Sequence, residues 1–229
     1  MEAPATPISP LEDRESIEQR VALTLRELIV DGELPAETPL VQRDLAQQLG
    51  VSPTPVRAAL SQLEREGFVA VTPTGRAVVS RLTREDFEEI YAARLGLEGL
   101  AANLGARAVA RKDIAAMKET LRDLRRLAEE QDAKEYLRLR WEFHATCYRA
   151  SGRGRLVDEV GRLYWRAHRY NQLVLSTAER FRESVGRYRD FLAACEAGDG
   201  ARAEQVVQES IRWAVERAAP GVPSESEDA

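Results

Sequence analysis

Cysteine is scarce in this 229-residue chain: there are two, Cys147 and Cys195, with no Cys-x-x-Cys pair and no histidine-rich spacing around them. Both fall among apolar neighbours in helix-like stretches, so they read as buried free thiols rather than as a disulfide or a metal pair. Long apolar runs are also missing. A helix that crosses a bilayer needs about 20 consecutive apolar residues, and the runs here are only a few residues long, so no membrane span is expected. The N-terminus lacks the charged, apolar and small-residue succession of a signal peptide, which makes the cytoplasm the expected compartment. Positive charge is in deficit as well: the net charge is −5, and residues 1–80 hold 7 Arg or Lys against 12 Asp or Glu. That argues against a protein that grips nucleic acid by bulk charge.

The chain does have enough length for two small domains and 44% hydrophobic residues, enough for each to have a core. Residues 41–79 read as a winged helix-turn-helix. Leu45 and Leu49 mark the buried side of a short helix, Gly50 ends it, and Ser52-Pro53 begins the next with a capping hydroxyl and a proline at the first helical position. Val56, Leu60 and Leu63 recur at helical spacing, which leaves Thr54, Arg57 and Ser61 together on the opposite face. Gly67 stops this helix. Phe68 to Val71 and Ala77 to Val79 then read as two short strands, with Pro73-Thr74-Gly75 as the turn of a wing. Arg43, Arg57 and Arg76 thus come from the three places that approach a duplex in such a fold. The plain alternative is a helical subdomain with solvated arginines. The acids of this region concentrate in Glu12, Asp13, Glu15, Glu18, Glu27, Asp31 and Glu33, away from residues 43–76. Binding that depends on a few directed contacts and is sharply salt-sensitive is the expectation.

The stretch resembles the GntR superfamily of bacterial transcription regulators through Gly32, Leu34-Pro35, Leu40, Arg43-Asp44-Leu45-Ala46, Leu49-Gly50-Val51-Ser52, Thr54-Pro55-Val56-Arg57, Leu60, Leu63-Glu64 and Gly67. The resemblance covers about the first third of the chain. It implies that Arg43 and Arg57 contact bases or nearby phosphates and that Gly75 lets the wing backbone approach the minor groove. Many members have an arginine where this chain has Pro53, so one base contact of the family is expected to be missing here. The candidate DNA-binding residues are Arg43, Ser52, Thr54, Arg57, Ser61, Thr74, Gly75 and Arg76.

Residues 1–11 are rich in proline and are expected to be a disordered arm, and residues 219–229 a disordered tail. The winged-helix domain is placed at 12–80, opened by a helix on Ile17, Val21, Leu25 and Leu28 that ends at Asp31-Gly32. From Thr83, a capping candidate, to residue 218 everything is helix-like, in six segments divided near Arg111, Gln131, Ser151-Gly152, Thr177 and Gly198-Asp199. The fold class is therefore mainly α, a winged helix followed by an all-helical bundle. Three stripes stand out: Ile114, Met117, Leu121, Leu124, Ala128; Phe181, Val185, Tyr188, Leu192, Cys195; and Ala203, Val207, Ser210, Ala214. Gly96, Gly99 and Gly105 disfavour a helix by propensity but permit close helix packing.

Several polar residues fall on inward stripes of this bundle. Arg94 shares a face with Ile90, Leu97 and Ala101, Arg140 and His144 are one turn apart, and Tyr188 and Ser210 interrupt two of the stripes. Each needs a partner when buried. A neighbouring helix can supply it, as Glu98 can for Arg94, or several can line a ligand cavity. Residues 83–218 also resemble the helical effector domain of the FadR branch, the FCD type, in Arg94-x-x-x-Glu98, in Phe143-His144 followed by Ala150-Ser151-Gly152, and in Ala194-x-x-x-Gly198-Asp199 with Ala203 beyond. In metal-binding members an aspartate and two further histidines join the retained histidine. The matching positions here are Arg140, Tyr188 and Ser210, with His144 alone kept, and Arg153 replaces the usual asparagine after Ser-Gly. One histidine cannot hold a divalent ion, so no metal or other cofactor is expected. Arg140 supplies instead a positive charge that suits a carboxylate or phosphate. Arg162, Arg166 and Arg169 either add to that field or form a solvated basic face.

Together these readings imply a homodimeric, ligand-responsive regulator, more a repressor than an activator by the family's habit, on a double-stranded inverted-repeat operator. Its expected effector is a small anion held by Arg94, Arg140, His144, Tyr188 and Ser210. Two rivals stay open: a small helical enzyme with His144 as base, and a regulator whose helical domain only dimerises.

Overall fold

The computed structural model describes residues 16–174 and 177–223, so the expected arm at 1–11 lies outside the described residues. Helix α1, Ile17–Val30, starts with a capping box in which Ser16 and Gln19 satisfy each other's backbone N–H groups. It buries Val21, Ala22, Leu25 and Ile29, whereas Ile17 is exposed at the first turn, so the inward stripe begins one turn later than its spacing suggests. Helix α2, Gln42–Leu49, ends on Gly50 in the left-handed region at φ 64°. Helix α3, Pro53–Arg65, buries Val56, Ala59, Leu60 and Leu63. Ser52 precedes it in extended conformation but its hydroxyl makes no capping bond, so Pro53, with φ already helical and no N–H to satisfy, starts the helix by itself.

Strands β1, Val69–Val71, and β2, Ala77–Val79, pair antiparallel with Val69 opposite Val79. The turn between them places Gly75 at φ 78°, a conformation that favours glycine. The other edge of β2 is occupied too. Glu37 N–H donates to Val79 carbonyl, Leu40 N–H to Ala77 carbonyl and Val79 N–H to Thr38 carbonyl, so the segment after α1 braces the wing.

Ser80 to Thr83 leads into the helical domain, where the Thr83 hydroxyl caps Asp86 N–H. Six helices follow: α4 Arg84–Ala106, α5 Arg111–Glu130, α6 Ala133–Ala150, α7 Gly154–Val174, α8 Ala178–Glu196 and α9 Gly200–Ala218. Their single core includes all three expected stripes, with Ile114, Val185 and Ser210 only half-buried. Gly105 explains how α4 and α6 approach so closely, since a Cβ there would lie 2.2 Å from the Cys147 carbonyl oxygen. Gly99 faces the α9 side chains Glu204 and Gln208, while Gly96 is exposed with open space around it and serves no packing. Cys147 and Cys195 are free, buried thiols whose sulfurs are 3.5 Å apart.

Residues 219–223 do not begin a loose tail. Ala219–Gly221 forms a 3₁₀ turn, Val222 is buried, and Arg84 donates to the carbonyls of Ala219 and Val222, which supplies acceptors' partners at the end of α9. The rest of that expected tail, 224–229, lies outside the described residues. The two domains meet along α7. Trp165 packs on both cores, the Arg166 side chain lies against Gly67 and pairs with Asp86, and Arg169 donates to Ser80. Among the described residues, no helix is long and apolar enough to cross a membrane.

Candidate DNA-binding face and effector cavity

Helix α3 presents Thr54, Arg57 and Ser61 to solvent, because the residues at helical spacing behind them are the buried Val56, Ala59, Leu60 and Leu63. Arg43 stands exposed in the first turn of α2 and Arg76 at the wing. These three arginines come from separate elements and line one groove of about 520 Å³, together with Ser61 and Gly75. None of their guanidiniums has a partner among the described residues, in a domain where Arg26 is already paired to Glu66 at 2.7 Å. Free guanidiniums converging on a groove suit phosphate and base-edge acceptors. Ser52, Thr54 and Thr74 are exposed but outside the groove lining, and Thr74 shares a hydrogen bond with the Thr72 hydroxyl at 3.0 Å. Glu64 also lines the groove, an acid that the spacing argument passed over.

The second site lies inside the helical bundle. Arg94, Arg140, His144, Tyr188 and Ser210, from helices α4, α6, α8 and α9, line a single cavity. Glu98, Tyr164 and Ser184 complete its polar wall, and Trp213 is among the residues that close it. The five residues that periodicity turned inward therefore do converge.

Their partners differ. Arg94, 3% exposed, donates through Nε to Glu98 at 2.5 Å, and Glu98 also accepts from the Tyr148 hydroxyl at 3.2 Å. One terminal nitrogen of Arg94 is buried without a hydrogen-bond partner. Arg140, 8% exposed, has no hydrogen-bonding acceptor or carboxylate among the described residues; its guanidinium lies 4.9 Å from the centre of the Tyr164 ring. Two guanidiniums thus face one carboxylate, and the cavity is left with an excess positive charge.

His144 Nδ1 lies 2.9 Å from the Arg140 carbonyl and donates to it in the neutral tautomer, which leaves Nε2 as an acceptor. Burial pushes its pKa down to about 4; the bond to the carbonyl opposes this and the charge of Arg140 adds to it. The ring stacks on Phe191 at 5.2 Å and meets Tyr188 edge-on at 5.1 Å. Tyr188 accepts from the Ser184 hydroxyl at 2.6 Å, so its own proton is free for a further acceptor. Ser184, four residues before Tyr188, was findable from its spacing on the same helix face. Tyr164 had no such signal, because only the approach of α7 to α6 brings it to Arg140.

The free space in this cavity is about 20 Å³, room for about one water. An organic molecule therefore enters only when wall side chains move. Among the described residues, no group of three or more His, Cys, Asp or Glu is placed to hold a metal ion.

The arginines of α7 belong to neither site. Arg162 is exposed and paired with Glu159, Arg166 is taken by Asp86, and Arg169 reaches the Ser80 carbonyl at 2.6 Å. Arg162 fits the solvated face, whereas Arg166, ion-paired within the helical domain and packed against Gly67, and Arg169, bound to Ser80, correct that expectation at the domain junction.

A family model for the FCD domain matches residues 89–212, and one for bacterial regulatory proteins of the gntR family matches residues 17–79. The chain is 28% identical over 187 residues to the HTH-type transcriptional regulator McbR of Escherichia coli (strain K12), an overlap that covers 80% of this chain and 84% of that protein. It is 26% identical over 199 residues to a probable D-xylose utilization operon transcriptional repressor of Paenarthrobacter nicotinovorans, covering 83% and 85% of the two chains. The solved structure of E. coli McbR/YncC matches with a TM-score of 0.81 at 24% identity over 90% of this chain and 98% of the other, a likeness of fold.

Proposed function

Because the chain belongs to the GntR family of bacterial regulatory proteins, with an FCD domain behind its winged helix, we propose that it is a transcriptional repressor of the cytoplasm whose hold on DNA responds to a small anion bound at Arg140. The family makes it a DNA-binding regulator and not an enzyme. The observation that carries the effector reading is the buried Arg140 guanidinium, which has no hydrogen-bonded carboxylate among the described residues and shares the cavity's Glu98 with Arg94. A buried cation left so is costly, and a carboxylate or phosphate relieves the cost while gaining charge-assisted hydrogen bonds. His144 Nε2, the Tyr188 hydroxyl and Ser210 supply neutral partners for the remainder of such a molecule.

One winged helix covers one half-site, so two chains related by a twofold axis fit an inverted repeat, and we infer a homodimer on such an operator. Arg43, Arg57 and Arg76 are its charged contacts, with Ser52, Thr54, Ser61 and Thr74 as hydroxyl donors and Gly75 at the closest backbone approach. Helix α7 offers a route for the signal: Tyr164 faces Arg140, and Arg169, five residues on, holds Ser80 at the domain junction.

The small free volume favours a second reading, a helical domain that only dimerises. One experiment separates the two. A thermal-shift screen of small organic acids, sugar acids and phosphorylated metabolites is followed by DNA release with any compound that binds. Arg140→Ala is expected to abolish ligand-dependent release while DNA binding and dimerisation persist. A screen without a binder, or a variant that responds as the parent does, refutes the anion site.

A further inference from the structure

A second cavity, of about 300 Å³, opens between the domains and shares no lining residue with the Arg140 cavity. Its winged-helix wall is α1, where Leu23 is left 41% exposed. Its helical-domain wall is α7, where the Trp165 and His168 rings stack with centroids 5.4 Å apart and planes 22° from parallel. The volume is at the lower end of small-molecule sites, which begin near ~300 Å³.

The polar groups here sort into two kinds. The cations on the walls are already matched, Arg26 with Glu66 at 2.7 Å, Lys134 with Asp31 at 2.5 Å and Arg138 with Glu135 at 2.5 Å, while Glu27 on α1 lines the cleft without an ion pair among the described residues. The aromatic pair is unmatched. His168 is 3% exposed with Nδ1 buried and without a hydrogen-bond partner, and the Trp165 indole N–H has none among the described residues. Burial and the charge of Arg140 hold the His168 ring neutral at pH 7, pushing its pKa down to about 3. A buried polar nitrogen without a partner is rare enough in folded proteins to call for a ligand or water that satisfies it.

We propose that this interdomain cleft is a second small-molecule site, for an uncharged planar aromatic molecule carrying one hydroxyl or N–H group. The flat Trp165–His168 surface takes the ring by stacking, Leu23 and Val30 cover it from α1, and the polar group completes the hydrogen bonding of His168. A hydroxyl serves either nitrogen of a neutral imidazole, as donor to the bare one or acceptor from the protonated one. With its wall cations paired and Glu27 unpaired, the cleft offers no positive counterion, so it selects against the anions that suit Arg140. The inference stands whether or not Arg140 binds an anion. A molecule bound here touches both domains and so favours the docked arrangement over any other.

The test is calorimetric titration of the full chain with two probes of equal shape, naphthol and methylnaphthalene. Saturable binding of both is expected, and Leu23→Trp, a change at an exposed position that fills the cleft from α1, should remove both. His168→Phe keeps the stacking surface and removes the nitrogens, so it should weaken naphthol about tenfold, the effect of one lost hydrogen bond to a buried group, and leave methylnaphthalene unchanged. The proposal is overturned if neither probe saturates, if Leu23→Trp binds as the parent does, or if His168→Phe affects both probes alike.

Discussion

Mild acid should destabilise the helical domain through two side chains. The chain has two histidines, His144 and His168, and both are buried with their pKa values pushed down, to about 4 and about 3 respectively. In the unfolded chain an imidazole titrates near pH ~6.5. Folding therefore holds both rings neutral where the unfolded chain protonates them. Stability is full above pH ~6.5 and is lost as the pH falls from there towards the depressed folded values. At about pH 5.5, roughly one unit below the unfolded pKa, each histidine contributes about 1.4 kcal/mol of loss, and the pair about 3 kcal/mol. That is a sizeable part of the roughly 5–15 kcal/mol that a folded protein has in total. Trp141, Trp165 and Trp213, the three tryptophans, all lie in this domain, so their fluorescence during urea unfolding reports on it. Comparing about pH 7.5 with about pH 5.5 should give the ~3 kcal/mol difference in the parent and a nearly flat profile in a His144→Gln, His168→Gln double variant. A parent whose stability does not change over this range, or a double variant with the parent's slope, refutes the reasoning.

Arg43→Ala and Arg57→Ala should each weaken operator binding by about 1–3 kcal/mol without loss of fold, as measured by fluorescence anisotropy; unchanged affinity in both removes the groove from the DNA interface. Gly105→Ala should destabilise the helical domain by about 1–3 kcal/mol or more in the same urea assay, because the new methyl meets the backbone of α6 and overpacked cores respond on that scale. Arg169→Ala leaves the Ser80 carbonyl without its side-chain donor and should lower the stability of the domain junction by about 1–3 kcal/mol. Faster hydrogen exchange around residues 80–83 is the measurement, and unchanged protection there counts against the clasp.

Local chemistry made much of this protein legible from its residues. Gly50, Pro53, Gly67 and the Pro73-Thr74-Gly75 turn mark the winged helix because the backbone conformations they allow are set within a few residues. The six helices of the second domain could be divided at Gln131, Ser151-Gly152, Thr177 and Gly198-Asp199 for the same reason. Periodicity also identified Arg94, Arg140, His144, Tyr188 and Ser210 as inward polar residues, since a helical repeat shows which side of a helix lacks solvated groups. It does not show what lies opposite. The Arg94–Glu98 pair is local, four residues apart on α4, but that Arg140 meets only the Tyr164 ring depends on how α7 is laid against α6, across 24 residues of chain. The same docking took Arg166 and Arg169 out of a solvated basic face, pairing Arg166 with Asp86 against Gly67 and Arg169 with Ser80, and placed His168 beside a cleft that no single helix forms. Residue type and spacing thus determined the elements and the inward or outward sense of each side chain, because those are local properties of the backbone. Which inward groups are satisfied, and which are left facing an empty space, was decided by tertiary packing, because a partner for a buried charge is a matter of geometry between elements distant in the chain.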